Sequence, residues 1–179
     1  MAGVGYDVGM HRPDPRSLIP VLIAGALVLL VAAPARADLT GFLGITTTPT
    51  TRTNGGFSAG TGFVIVAFEF EYAATKEDVT STQVAPALKT YMFNGLLQTP
   101  IPIARTQFYG TLGAGAYHET LSTQPLNDQT NIGTNIGGGA KITLAGPLRL
   151  RLDYRVFTLH GNARHTPVQR LYAGINLKF

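Results

Sequence analysis

The sequence predicts an all-β chain: an eight-stranded antiparallel up-and-down transmembrane β-barrel preceded by a helical signal peptide. Three observations carry the prediction. Segments of about ten to thirteen residues recur in which apolar and polar side chains alternate, the dyad repeat of a strand with lipid on one face and a polar interior on the other. The connections between these segments are short and long in turn, as they must be when strands run up and down. The final segment alternates without a break from Leu171 to an aromatic terminus, Phe179.

Residues 1–37 read as a separate segment. Ser17 to Ala33 is an apolar run containing Pro20, preceded by His11, Arg12 and Arg16 and followed by Ala35-Arg36-Ala37, a small-x-small cleavage pattern. The run is short against the roughly 20 apolar residues of a spanning helix. Cleavage is therefore expected, leaving a mature domain over 38–179 secreted across the inner membrane. Met10 would serve as a start as well as Met1.

Charge is modest: 13% of residues are charged and the net charge is +4, with the basic residues dispersed. Nucleic-acid binders concentrate Lys and Arg on one face, so no nucleic acid is expected as a partner. The chain has no cysteine, which excludes a disulfide framework and thiolate metal sites. Gly110-x-x-Gly113-x-Gly115 and Gly133-x-x-x-Gly137-Gly138-Gly139 lack the Lys and Ser/Thr of a phosphate-cradling loop and its strand-to-helix context. They read as strand glycines, and no cofactor is expected.

The strands follow from the alternation and its interruptions. Leu39 to Thr47 ends in the polar loop Thr48 to Thr53, and Asn54 to Val64 turns tightly into Ala67 to Thr75. The charged loop Lys76 to Ala85 leads to Pro86 to Gln98, and a compact turn with Pro100 and Pro102 leads to Arg105 to His118. After the loop Glu119 to Thr130 comes Asn131 to Leu144, and after Ala145-Gly146-Pro147 comes Leu148 to His160. The loop Gly161 to Pro167 then precedes Val168 to Phe179. With both termini periplasmic, the tight turns lie inside the cell envelope and the four long loops face outward.

The faces are assigned from two strands. In the seventh, Leu148, Leu150, Leu152, Tyr154 and Val156 alternate with Arg149, Arg151, Asp153 and Arg155. In the sixth, the face carrying Ile132, Ile136 and Ile142 alternates with Asn131, Gly133, Asn135, Gly137, Gly139 and Lys141. Glycines suit a solvent-facing strand poorly but make room for Arg and Tyr inside a narrow barrel, which eight strands leave just wide enough to fill with side chains. The polar face is therefore placed inside. The same parity turns Phe68, Phe70 and Tyr72 outward and Glu69 and Glu71 inward. The lumen should then hold a charge network of Glu69, Glu71 and Asp153 with Lys141, Arg149, Arg151, Arg155 and Arg170, with Arg105 and Lys178 near the periplasmic rim. Buried charges need partners, so Glu69 and Glu71 are expected to pair with members of the Arg149, Arg151, Arg155 set.

The terminal Tyr172, Gly174, Leu177 and Phe179 resemble the signal by which the bacterial outer-membrane assembly machinery recognises its clients. Together with Phe68-Glu69-Phe70-Glu71-Tyr72 and the strand Tyr109 to Tyr117, they give the mature chain a resemblance to the small outer-membrane β-barrels of the OmpA transmembrane-domain and OmpX type. That resemblance implies an outer-membrane location, contact with outer-membrane lipid and lipopolysaccharide, and delivery by periplasmic chaperones to the assembly machinery. It implies little about activity, since similar barrels include structural proteins, adhesins and lipid-modifying enzymes. The sequence stops at Phe179, so a following peptidoglycan-binding domain is not expected.

A plugged lumen with a structural or surface-interaction role, without catalysis, is the reading favoured by these residues. A lipid-modifying enzyme and a narrow pore or small-ligand carrier remain alternatives. The lipid A deacylases of the PagL family pair a His with a nearby Ser, whereas His160 here precedes Gly161 and Asn162 and no serine follows Ser122. His118, Glu119, His160 and His165 lie toward the outer rim and could form a metal or acid–base cluster if they converged. The Thr- and Asn-rich loops name no partner.

Overall fold

Every strand pairs with the next and the last pairs with the first, closing the sheet into a barrel. The computed structural model describes residues 36–80, 83–123 and 128–179. The expected signal peptide, apart from Arg36 and Ala37, lies outside the described residues. The strands are β1 (Arg36–Thr46), β2 (Arg52–Gly62), β3 (Val66–Thr75), β4 (Ala87–Gln98), β5 (Thr106–Thr120), β6 (Gln129–Ala145), β7 (Leu148–Leu159) and β8 (Val168–Lys178). Each falls where the alternation places it, with ends displaced by no more than about three residues, the usual uncertainty of strand ends. The β1–β8 seam runs from Asp38 opposite Lys178 to Thr46 opposite Arg170.

The connections β2–β3, β4–β5 and β6–β7 are tight. In the last of these Gly146 adopts φ +52°, a conformation glycine reaches without strain, and a register shift between Thr143 and Ala145 bends β6 as it enters the turn. The connections β1–β2, β3–β4, β5–β6 and β7–β8 gather at the opposite end, the long-loop end.

The side-chain period of two sorts the barrel into an apolar exterior and a polar interior. Leu43, Phe93, Leu112, Ile132 and Ile136 are each more than 60% exposed, whereas Glu71, Arg151, Arg155 and Arg170 have no exposed surface. A water-soluble barrel would show the reverse, and an apolar exterior of this extent is far beyond what soluble monomers tolerate. Aromatic rings cluster on the outer wall over β2 to β4, with Tyr72 5.1 Å from Tyr91 and 5.6 Å from Phe57.

The interior is stratified along the barrel axis. Charged side chains fill it from the tight-turn end to beyond the middle. Toward the long-loop end the inward positions of β4, β5, β7 and β8 carry Leu88, Met92, Tyr117, Phe157, Leu159 and Val168, packed as one buried apolar cluster. Those of β1, β2 and β3 carry the buried polar Thr46, Arg52, Asn54 and Thr75, and β5 also carries Glu119. The inward glycines of β6 provide the width for large neighbours: a Cβ at Gly139 would stand 2.5 Å from the Tyr109 hydroxyl, and one at Gly137 would stand 2.8 Å from Cγ of Arg155.

Candidate functional site

The charged interior is the most organised side-chain constellation in the described residues. Glu69 of β3 receives Arg151 through Nη1 on Oε2 and through Nη2 on Oε1 at 3.2 Å, and Arg155 Nη2 on Oε1 at 3.0 Å. Asp153 lies between the same two arginines, 3.1 Å from Arg151 Nη2 and 2.9 Å from Arg155 Nε. The Tyr109 hydroxyl donates to Asp153 at 2.5 Å and accepts from Arg151 Nε at 2.8 Å, and Ser58 donates to Glu69 at 3.0 Å. Toward the long-loop end, Glu71 pairs with Arg155 at 3.2 Å and Arg170 at 3.1 Å and accepts from the Tyr172 hydroxyl at 3.2 Å. Arg170 also caps the ring of Phe157, its guanidinium carbon 4.3 Å from the centroid, which joins the ionic layer to the apolar one.

A second group sits at the tight-turn end. Asp38 of β1 takes Lys141 at 2.5 Å and Arg149 on its other carboxylate oxygen. Arg149 is held by Asn176 at 2.7 Å and Gln107 at 3.3 Å, and Asn176 donates to Thr40 at 2.9 Å. Charge-assisted contacts of this kind are among the stronger polar interactions available to a barrel interior.

At the long-loop end the connections are tied to one another. Arg52 donates to the carbonyls of Thr48 at 2.9 Å and Lys76 at 3.3 Å, and to that of Pro86. Glu119 accepts from Gln129 at 2.7 Å and from the Arg164 amide at 3.2 Å. The Ser122 amide donates to Glu77 at 3.0 Å and holds that carboxyl below the usual carboxylate range.

No family model matches this sequence, and no curated protein matches it. Solved structures do match. The N-terminal β-barrel domain of Pseudomonas aeruginosa OprF aligns with a TM-score of 0.61 at 16% identity over 80% of this chain and 97% of that one. Neisserial surface protein A aligns with a TM-score of 0.61 at 15% identity, over 81% and 97%. The fold is that of the small outer-membrane barrels. Ail, the attachment invasion locus protein of Yersinia pestis, shares it with a TM-score of 0.51 at 11% identity over 82% of this chain and 99% of that one, in a complex with the heparin analogue sucrose octasulfate.

Within this small-barrel fold the expected network residues separate into two groups. Glu69, Glu71, Arg151, Asp153, Arg155 and Arg170 form one connected set. Lys141 and Arg149 belong to the Asp38 group instead. Of the Arg149, Arg151, Arg155 set, Arg151 and Arg155 pair with Glu69 and Arg155 pairs with Glu71, while Arg149 stands nearer the tight-turn end, within reach of Asp38. Arg105 lies outside the lumen, in the β4–β5 turn at φ +66°, donating to the Leu144 carbonyl at 2.7 Å. The terminal Tyr172 and Gly174 face inward, with Tyr172 stacked on Phe42 at 4.0 Å, while Phe179 is exposed and its amide bonds the Ala37 carbonyl at 2.8 Å.

The rim histidines are not brought together. His118 faces the outer wall, bonded to Thr130 at 2.8 Å, whereas the adjacent Glu119 faces inward. His160 lies 3.4 Å from the Thr134 hydroxyl, and His165 donates to the Val84 carbonyl at 3.0 Å. Sequence reasoning missed Asp38, Tyr109 and Ser58 as network members. Strand parity was the available signal for Asp38, since it lies two and four residues before the inward Thr40 and Phe42.

Proposed function

We propose that this chain is an outer-membrane barrel whose interior serves as a fixed plug and whose interactions are made by its loops and outer wall, without catalysis. The connected ion-pair network spanning β3, β7 and β8 carries this reading. Four carboxylates and five bases occupy the bore in ion pairs, and the apolar cluster stands above them toward the long-loop end. An exterior that is apolar through the middle of the wall suits a bilayer. On this reading the 1–37 segment directs export, the Tyr172, Gly174, Leu177 and Phe179 strand delivers the chain from periplasmic chaperones to the assembly machinery, and lipopolysaccharide surrounds the outer rim.

The test is conductance of the purified barrel in planar bilayers, together with lipid A hydrolysis and acyl-transfer assays. Negligible steady conductance and unaltered lipid A are expected. A large steady conductance would overturn the plug, and turnover of lipid A would overturn the non-enzymatic role.

A further inference from the structure

The ionisable side chains of the strands are distributed with a strong bias. Asp38, Glu69, Glu71, Glu119 and Asp153 all occupy inward positions, as do the arginines of β2, β7 and β8. Tyrosines aside, the outward positions of the described strands hold two ionisable side chains, Lys89 on β4 and His118 on β5. These two are register partners across the β4–β5 pair. Lys89 is the third residue of its strand and His118 the third from the end of its own, so both lie just below the long-loop rim. The Thr130 hydroxyl bonded to His118 Nδ1 fixes the imidazole against the wall. Tyr91 follows Lys89 on the same face of β4, in ring contact with Tyr72.

A cation on a lipid-facing wall costs about 2–4 kcal/mol at the bilayer midplane and close to nothing at the interface. The aromatic row below Lys89 marks that interface from the apolar side, since amphipathic rings settle at headgroup depth. An ammonium and an imidazole side by side at this level are matched by an anion carried on a lipid, and phosphate oxygens accept charge-assisted hydrogen bonds well. We propose that Lys89 and His118 form a binding site for the phosphate of a phosphorylated glycolipid in the outer leaflet, with its acyl chains lying along Tyr91 and Tyr72. The site rests on the outer-membrane reading above.

The experiment refolds the full barrel into phosphatidylcholine vesicles containing either bisphosphorylated lipid A or the same lipid with both phosphates removed, and measures lipid retained per barrel by native mass spectrometry. Wild type should retain the phosphorylated form preferentially. The Lys89→Gln/His118→Gln variant should lose at least about fivefold of that retention, the scale of one cation at an anionic surface, while Lys89→Arg and, at the opposite end, Arg105→Gln keep it. Equal retention of the two lipids, or an unchanged double variant in a barrel that inserts normally, overturns the site alone. A wild-type barrel that enters no vesicle overturns the membrane reading and the site with it.

Discussion

Arg151 of β7 reaches across the bore to Glu69 of β3, Nη2 to Oε1 at 3.2 Å, although no backbone hydrogen bond joins their strands. A contact of this kind ties opposite walls together independently of the sheet. Its energetic weight lies in what happens when one partner is taken away, because a charge left buried without its partner costs far more than the pair contributes.

Removing one member of the Glu71–Arg170 pair should therefore be expensive. Glu71→Gln or Arg170→Met alone is expected to destabilise the barrel by about 3–5 kcal/mol, and the double variant should lose less than the sum, with a coupling of about 0.5–3 kcal/mol. Arg155 keeps Glu69 and Asp153 in every variant. Denaturant unfolding in lipid vesicles gives all three values.

The outer wall should reject charge. Ile136→Lys and Leu152→Arg are each expected to cost about 2–4 kcal/mol near the midplane in the same assay. A small effect at both positions would place the apolar wall away from lipid.

Glycine positions on β5 and β6 should respond according to facing. A Cβ at Gly139 would meet the Leu152 carbonyl at 2.2 Å and the Tyr109 hydroxyl at 2.5 Å, whereas one at Gly110 would stand 3.9 Å from the Gly137 carbonyl, an ordinary contact. Gly139→Ala should displace Tyr109 from Asp153 and cost about 1–3 kcal/mol, the usual range for overpacking. Gly110→Ala should lie within about 0.5 kcal/mol of wild type, as for substitutions that disturb no special feature.

Opening the lumen should require both layers to be breached. Glu71→Ala with Arg151→Ala leaves Phe157, Met92 and Leu159 in place, so conductance should stay low until Phe157→Ala and Met92→Ala are added. Single-channel recording distinguishes the two sets, and a large conductance from the charge variants alone would show that the apolar layer is no barrier.

The terminus should matter for delivery out of proportion to its contacts. Phe179→Asp should leave the protein in the periplasm, whereas Leu97→Ala, at a similarly exposed outer-wall position, should reach the outer membrane at wild-type yield. Fractionation and heat-modifiability on gels report the outcome.

Strand positions and facing are legible because a period of two is a local property: once the Arg face of β7 and the glycine face of β6 are placed inside, the alternation with Phe68, Phe70 and Tyr72 turns Glu69 and Glu71 inward. Height along the barrel was not legible in the same way. It depends on the stagger between neighbouring strands, which decides that Arg149 meets Asp38 and that Arg151 meets Glu69. The inward apolar layer escaped for a related reason. Phe157 and Leu159 continue the very parity that carries Arg149, Arg151 and Arg155, and alternation records side without recording depth.

The seam between β1 and β8 also has a consequence in time. Its ladder joins Asp38 to Lys178 and Thr46 to Arg170, strands at opposite ends of the synthesised order. During synthesis β1 waits for a partner that emerges after all the others, and no shorter chain can close the ring. A partly made sheet would present two open edges, the template on which chains pair wrongly with one another. Closure is therefore an all-or-none event postponed until translation has passed β8, and the interval before it is when escort by other proteins would matter most.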